Sequence, residues 1–278
     1  MPGWPTSRRK EEALAHTAEI GIFGGSGFYE FAEGGIEEVT VETPYGPLSD
    51  KIALMTVAGR QVAFLPRHGK AHTLPPHKVP YRANLWAFKQ LGVTRVLAPS
   101  AVGSLQPHIA PGDFVINDQF VDRTSGRADT FYDGPEVVHV SSADAYCPQI
   151  RQIAIDAARQ NNVTVHERGT VAVIQGPRFS SKAESRWFTQ MGWDIVSMTQ
   201  YPEVILAREL ELCYVTLSLV TDYDAGLVSN TAAVSVHDVL AVLAQNTENG
   251  KRVLKTILSN LPTERLCACA ESLKYARM

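Results

Sequence analysis

The sequence predicts an α/β fold: one domain with a mixed central β-sheet flanked by helices. From about residue 80 onward, short apolar runs alternate with stretches in which apolar residues recur at helical spacing. The first third is richer in strands and hairpins, so the sheet is expected to be mixed rather than purely parallel. After residue 18 there is no internal repeat, low-complexity tract or Pro/Ser-rich linker, so residues 19–278 read as a single domain behind a mobile lead-in at 1–18.

Order is expected to begin at Ile20-Gly21-Ile22-Phe23, an apolar run ended by Gly24-Gly25-Ser26-Gly27. Further strands are predicted at Glu38–Glu42, Ile52–Val57, Val62–Leu65, Arg95–Ala98, Gly169–Gln175, Ile195–Met198 and Leu212–Val220. Helices are predicted at Val79–Leu91, Pro148–Asn161, Ser181–Met191, Pro202–Leu210 and Val236–Leu261. The last is the most periodic, with Val253, Leu254, Ile257 and Leu258 on one stripe.

Composition removes several classes of function. With 45% hydrophobic and 20% charged residues, the chain can bury a substantial core and is not a disordered polymer. A formal charge of −3 argues against a domain built to neutralise nucleic-acid phosphates. No apolar run approaches the roughly 18–20 residues of a membrane span, and the polar segment Met1–Glu19 is no signal peptide, so a cytoplasmic address is expected. Four cysteines are too few for a disulfide scaffold. Cys147 and Cys213 read as isolated buried thiols. The pair Cys267 and Cys269 would need two further soft ligands to hold zinc, none stands nearby in sequence, and no metal site is expected.

The candidate chemistry sits at strand ends. The glycine turn after Phe23 can cradle an anion with its N–H groups and the Ser26 hydroxyl, or can be a plain tight turn. It lacks the third glycine of a dinucleotide fingerprint. Arg67-His68 leaves another strand end: Arg67 offers a planar two-pronged fork for an oxyanion and His68 a further donor. Ser100-Ala101-Val102-Gly103-Ser104 supplies small residues that let a ligand approach the backbone. Val121–Thr124 and Thr130–Gly134 read as a polar loop whose aromatics pack on a ligand or a neighbouring subunit. At Gly176–Ser181, Ser180 either caps a helix or serves a site, with Phe179 available to stack on a planar ring. At Ser197–Glu203, Thr199 can cap or bind an anion. Asp222 and Asp224 lie two apart at a strand end, where extended backbone would turn both to one site and apolar walls would raise a carboxyl pKa toward neutrality.

Taken in order, GGSG at 24–27, RHG at 67–69, SAVGSL at 100–105, DQFVDRT at 118–124, TFYDG at 130–134, GPRFSSKAES at 176–185, MTQYPE at 198–203 and TDYD at 221–224 resemble the 5′-methylthioadenosine phosphorylases, a trimeric branch of the purine nucleoside phosphorylases. The likeness runs from about residue 19 to about 261. It implies attack of inorganic phosphate on C1′ of a nucleoside, releasing adenine and a 5-alkylthioribose 1-phosphate, with phosphate as co-substrate and no cofactor. Carried over by position, Ser26, Arg67, His68, Ser100, Ala101 and Thr199 would bind phosphate. Phe179, Ser180, Asp222 and Asp224 would surround the purine, with Gly103 at the base and Met198 under the ribose. Val236, Val239 and a neighbouring subunit's copy of His139 would line the 5′ pocket. Asp222 would protonate purine N7 and share a proton with Asp224. The resemblance also implies that Cys147 and Cys213 face each other, and that the partners are a nucleoside, phosphate and further copies of the chain in a trimer, not nucleic acid or a membrane. The alternatives are a phosphorylase for other 5′-modified adenosines or purine nucleosides, or a nucleoside-binding sensor without catalysis.

Overall fold

A computed structural model describes residues 17–24, 33–225 and 236–278, with side chains in the final helix described from 242. Eleven strands form one sheet among the described residues: β1 (Ile20–Gly24), β2 (Glu37–Val39), β3 (Ile52–Val57), β4 (Arg60–Pro66), β5 (Arg95–Ser104), β6 (Phe114–Val115), β7 (Gln119–Arg123), β8 (Val165–His166), β9 (Thr170–Ile174), β10 (Ile195–Ser197) and β11 (Cys213–Asp222). The main path runs β2-β3-β4-β1-β5-β10-β9-β7, with β11, β6 and β8 branching from β5. Five α-helices accompany it among the described residues: α1 (Tyr81–Gln90), α2 (Pro148–Gln160), α3 (Lys182–Gln190), α4 (Gln200–Glu209) and α5 (Val236–Asn260). The mixed α/β architecture read from the sequence is the one observed.

Period-two alternation divides the core between the two faces of the sheet. Phe23, Ala63, Leu65, Val96, Ala98 and Tyr214 pack with α1 and α4. Their neighbours in sequence, Ile22, Val62, Phe64, Leu97 and Val215, pack with α2 and α5. Helix α1 comes very close to the sheet at Gly21, where a Cβ would lie 2.7 Å from the Phe88 ring. Phe88 also meets Phe23 at a ring separation of 4.8 Å.

Several expected boundaries shift. The strand predicted at Arg95–Ala98 continues as β5 through Ser104, because Ser100–Ser104 finds partners in β11 and β10. The second strand is Glu37–Val39, stopping short of the predicted Glu42. Val121–Arg123, predicted as polar loop, belongs to β7. This strand pairs with β9 at the end of the sheet path, where a polar sequence can remain on the open side. Phe131 and Tyr132 are buried in the chain's own core, with Phe131 against Tyr45 and Trp86. Glu209 fixes this turn, accepting the Thr130 hydroxyl at 2.8 Å and the Phe131 N–H at 2.7 Å.

Overpacking a buried, close helix–sheet contact costs about 1–3 kcal/mol. Gly21→Ala is therefore expected to lower stability by that amount, read as a reduced urea midpoint with an unchanged slope.

Candidate active site

Strand ends converge on the second half of β5. Parallel pairing of β1 with β4 sets Gly24 opposite Pro66, and the Arg67 N–H donates to the Gly24 carbonyl at 3.1 Å. Strands β1 and β4 therefore end side by side, and Arg67 and His68 leave the sheet next to Gly24. Strand β10 runs antiparallel to β5 with Val196 opposite Gly103, and the chain continuing from it brings Thr199 Oγ1 to 3.4 Å from Ser100 Oγ. Strand β11 runs parallel to β5 and sets Asp222 opposite Gly103 after a register shift between Val220 and Asp222. Ser26 lies outside the described residues, as do the side chains of Val236 and Val239.

Arg67 is buried, but its fork does not stand free. Nη2 donates to Glu203 Oε2 at 3.1 Å, Nε donates to Glu203 Oε1, and Nη1 donates to the Pro99 carbonyl at 3.2 Å. Three of the five guanidinium N–H groups are thus engaged within the protein, leaving two for an anion. Burial alone would lower the Arg67 pKa. The adjacent Glu203 charge and its hydrogen bonds outweigh that, and the net shift is upward. Tyr214 donates its hydroxyl to the same Glu203 carboxylate at 2.8 Å. Glu203 stands in the MTQYPE segment, yet sequence reasoning gave it no role.

His68 differs from its expected role as a donor. Its Nδ1–H donates to the Leu74 carbonyl at 2.8 Å, while burial first and the Arg67 charge second push its pKa down to about 4. The ring is neutral near pH 7 and Nε2 is an acceptor. Thr199 precedes α4 without making a side-chain cap, so its buried hydroxyl is not spent on the helix. The next residue, Gln200, is locked in place: Tyr146 donates to its carbonyl at 2.9 Å and its amide donates to Ser218 at 2.9 Å.

At the other end of the constellation, Asp222 lies against the strand. A Cβ on Gly103 would sit 2.9 Å from Asp222 Oδ1, so only glycine admits the carboxylate there. Oδ2 accepts the Thr221 hydroxyl at 2.7 Å and Oδ1 accepts the Asp224 N–H at 2.8 Å. Burial raises the Asp222 pKa to about 6 against these two hydrogen bonds, with the Asp224 charge the smallest contributor. The two carboxylates are not joined by extended backbone as the sequence suggested. Asp224 takes a left-handed φ of 43° and closes a turn over Asp222.

Asp224 is buried, and burial raises its pKa, opposed by the nearby hydroxyls of Ser185 and Ser180. Asp224 Oδ2, Ser180 Oγ and Ser185 Oγ nonetheless lack hydrogen-bond partners of ordinary geometry. Ser181, not Ser180, caps α3, in a capping box with Glu184. That leaves the Ser180 hydroxyl available. Ser185 was not anticipated; it follows from helical spacing beyond the cap. Glu184 also grips Arg178 with two hydrogen bonds, at 2.7 and 2.8 Å, fixing the turn that holds Phe179 45% exposed. A Cβ on Gly176 would meet Met198 Sδ at 2.7 Å, so Met198 borders this turn. Arg127 braces it from outside, donating to the Gln175 carbonyl at 2.8 Å and the Tyr201 carbonyl at 2.5 Å. Ala101 is exposed at the same strand end.

His139 is exposed and tied to the C-terminal segment, its N–H donating to the Ala276 carbonyl at 2.8 Å. No hydrogen bond joins its side chain to the other candidates among the described residues.

The arrangement sets Arg67, Ser100 and Thr199 near one end of this half of β5 and the carboxylates of Asp222 and Asp224 near the other, about 10 Å apart along three residues of β5. A family model described as "Phosphorylase superfamily" matches residues 19–259. The chain belongs to the phosphorylase superfamily and is an enzyme, a pentosyltransferase. It is 52% identical over 260 residues to the S-methyl-5′-thioadenosine phosphorylase of Thermofilum pendens, covering 93% of this chain and 98% of that one. It is 51% identical over 266 residues to a purine nucleoside phosphorylase of Streptomyces coelicolor, covering 92% and 94%. Among solved structures, a methylthioadenosine phosphorylase from an antarctic soil metagenomic library matches with a TM-score of 0.89 at 42% identity, covering 95% and 93%. No helix among the described residues is long and apolar enough to cross a membrane.

Removing one partner of a buried ion pair leaves the other uncompensated, at about 3–5 kcal/mol. Arg67→Ala should therefore lower stability by about that amount as well as weaken phosphate binding, whereas Arg67→Lys keeps a charge beside Glu203 and isolates the phosphate effect. Thermal melts and the phosphate KM of both variants check this.

Proposed function

We propose that this chain cleaves 5′-methylthioadenosine with inorganic phosphate, giving adenine and 5-methylthioribose 1-phosphate, in purine and methionine salvage. The observation that carries the reading is the Asp222 carboxyl, buried over Gly103 with its pKa raised to about 6 beside the unpartnered Asp224 oxygen. A carboxyl in that range can hold a proton and deliver it to a leaving base near neutral pH. In the proposed mechanism, phosphate binds at Arg67, Ser100, Ala101 and Thr199. Its negative charge favours the positive charge that develops on the sugar as the glycosidic bond breaks. His68 Nε2, an acceptor, takes the hydrogen of hydrogenphosphate or of a sugar hydroxyl. Asp222 protonates N7 while Asp224 and Ser180 meet the purine edge, and Phe179 covers its face. A carboxylate accepts from a 6-amino group and repels a 6-oxo group, so the same residues would select adenine.

A trimer in which a neighbour's His139 enters the 5′ pocket fits the exposure of His139 in the single chain. Light scattering should then give three chains per particle, and a fully active monomer would contradict it. The second reading, a phosphorylase for other 5′-modified adenosines or purine nucleosides, is favoured by the similarity to the Streptomyces coelicolor protein. A panel assay of phosphate-dependent base release from 5′-methylthioadenosine, adenosine and inosine separates the readings. Base release that persists without phosphate would make the enzyme a hydrolase.

Asp222→Asn suits the site's geometry: the amide can donate to Thr221 Oγ1, whose hydrogen is then free for the Val102 carbonyl, already 3.2 Å away. Loss of a general acid costs on the order of 10²–10⁴-fold in rate. The variant should lose that much turnover on 5′-methylthioadenosine and much of its preference over 5′-methylthioinosine, with phosphate KM unchanged. In the parent enzyme kcat/KM should fall as pH rises above about 6, where Asp222 ionises, and that limb should be absent from the variant.

A further inference from the structure

All four cysteines of the chain meet at one point, away from the site described above. The sulfurs of Cys147, Cys213, Cys267 and Cys269 all lie within 4.8 Å of one another, and Cys213 and Cys267 are 3.4 Å apart. The sequence placed no further soft ligands near the Cys267–Cys269 pair; the fold supplies both. Cys147 precedes α2 and Cys213 opens β11, and the Cys147 N–H donates to the Tyr214 carbonyl at 2.9 Å, which fixes these two arms against each other. The second pair arrives on the C-terminal segment, where Cys267 immediately precedes the short 3-10 turn Ala268–Glu271.

We propose that these four cysteines form a structural site for one zinc ion that clamps the C-terminal segment to the start of β11 and α2.

Three features support it. Tetrahedral zinc with Zn–S bonds of about 2.3 Å needs sulfurs about 3.8 Å apart, close to the observed spread. The cluster is largely enclosed, with Cys147, Cys213 and Cys269 buried and Cys267 half-buried, as structural sites require. Its surroundings also favour thiolates. The Arg95 guanidinium interacts electrostatically with Cys147, Cys213 and Cys267. Arg95 is held in place by Glu19 and by donating to the Pro262 and Thr263 carbonyls at 2.9 and 3.1 Å. Binding replaces the four thiol protons by the metal, leaving a complex of charge −2 next to Arg95.

The site is remote from the proposed catalytic end: Cys213 and Asp222 are the first and last residues of the ten-residue strand β11, about 30 Å apart. The segment it would clamp also carries Ala276, which holds the His139 backbone, and Ser272, which donates to the Arg208 carbonyl at 2.6 Å.

The test uses the full chain, produced with zinc in the medium and purified under reducing conditions without chelator. Elemental analysis should give about one zinc per chain. Cys267→Ser combined with Cys269→Ser should reduce that at least tenfold and lower the melting temperature. Should that variant fail to fold, the parent protein freed of zinc and titrated with Co²⁺ should develop thiolate-to-cobalt charge transfer and the intense visible bands of a tetrahedral ion, saturating at one equivalent. The proposal is overturned if the reduced parent chain takes up neither metal. It is equally overturned if intact mass under non-reducing denaturation shows the chain lighter by the four hydrogens of two disulfides and free of metal.

Discussion

The pairing of β5 with β11 is the constraint on which the rest of the molecule depends. The two strands run parallel from Cys213 opposite Arg95 to Asp222 opposite Gly103. Every side chain at the proposed catalytic end is placed relative to that ladder. Ser100 and Ala101 sit opposite Ser218 and Leu219, and the shift after Val220 re-aims the chain so that Asp222 falls on the one residue of β5 without a side chain. A slip of one residue would turn Asp222 to the other face and set it against a Cβ. The buried hydroxyls of Thr216 and Ser218 resist such a slip, because both donate to the Asn117 amide oxygen, at 2.9 and 2.5 Å. Register here is held by a buried polar network, in which Ser218 also accepts the Gln200 amide and Asn117 also donates to the Gly169 carbonyl.

Electrostatics follow from that placement. The anion end contains a buried cation that is already half-satisfied, because Glu203 takes two of the Arg67 donors. The pair holds the guanidinium in one orientation and reduces its net charge, so affinity for an anion rests on the two remaining N–H groups and on neutral hydroxyls. Under the proposed function, such a site would hold phosphate without neutralising it, which is what a nucleophile that also balances positive charge on a sugar requires. The neutral His68 ring belongs to the same pattern: Arg67 beside it and its own burial keep a second positive charge out.

Much of this was legible in the sequence, and what was not has identifiable causes. Strands buried on both faces, such as β5 and β11, announce themselves as apolar runs. An edge strand such as β7 carries Asp122 and Arg123 and reads as loop, because its sequence answers to solvent on one side. The Ser180–Ser181 ambiguity turned on a single residue of helix start, and Glu184 three residues after Ser181 was the signal that resolves it. Glu203 and the cysteine cluster were invisible for another reason. Their partners lie 136 residues away in one case and on three separate segments in the other, and spacing along a chain carries no information about contacts of that range.

The carboxylate end shows what the scaffold must supply. A carboxyl whose pKa moves from 3.8 to about 6 on folding binds its proton more tightly in the native state. Stability therefore falls as pH rises from about 4 to about 6 and stays lower above that, by on the order of 2–3 kcal/mol at neutrality. Asp224, buried with an unpartnered oxygen, works in the same direction. Under the proposed function neither cost can be relieved locally, since a partner for Asp224 or a more polar wall for Asp222 would occupy the place of the proposed base. The offset has to come from elsewhere, from the two apolar layers and from the closure of the chain ends around Arg95. That residue joins Glu19 to the carbonyls of Pro262 and Thr263. Strand β11 thus carries the destabilised group at its last residue and one of the closing cysteines at its first, and the strand between them is buried throughout.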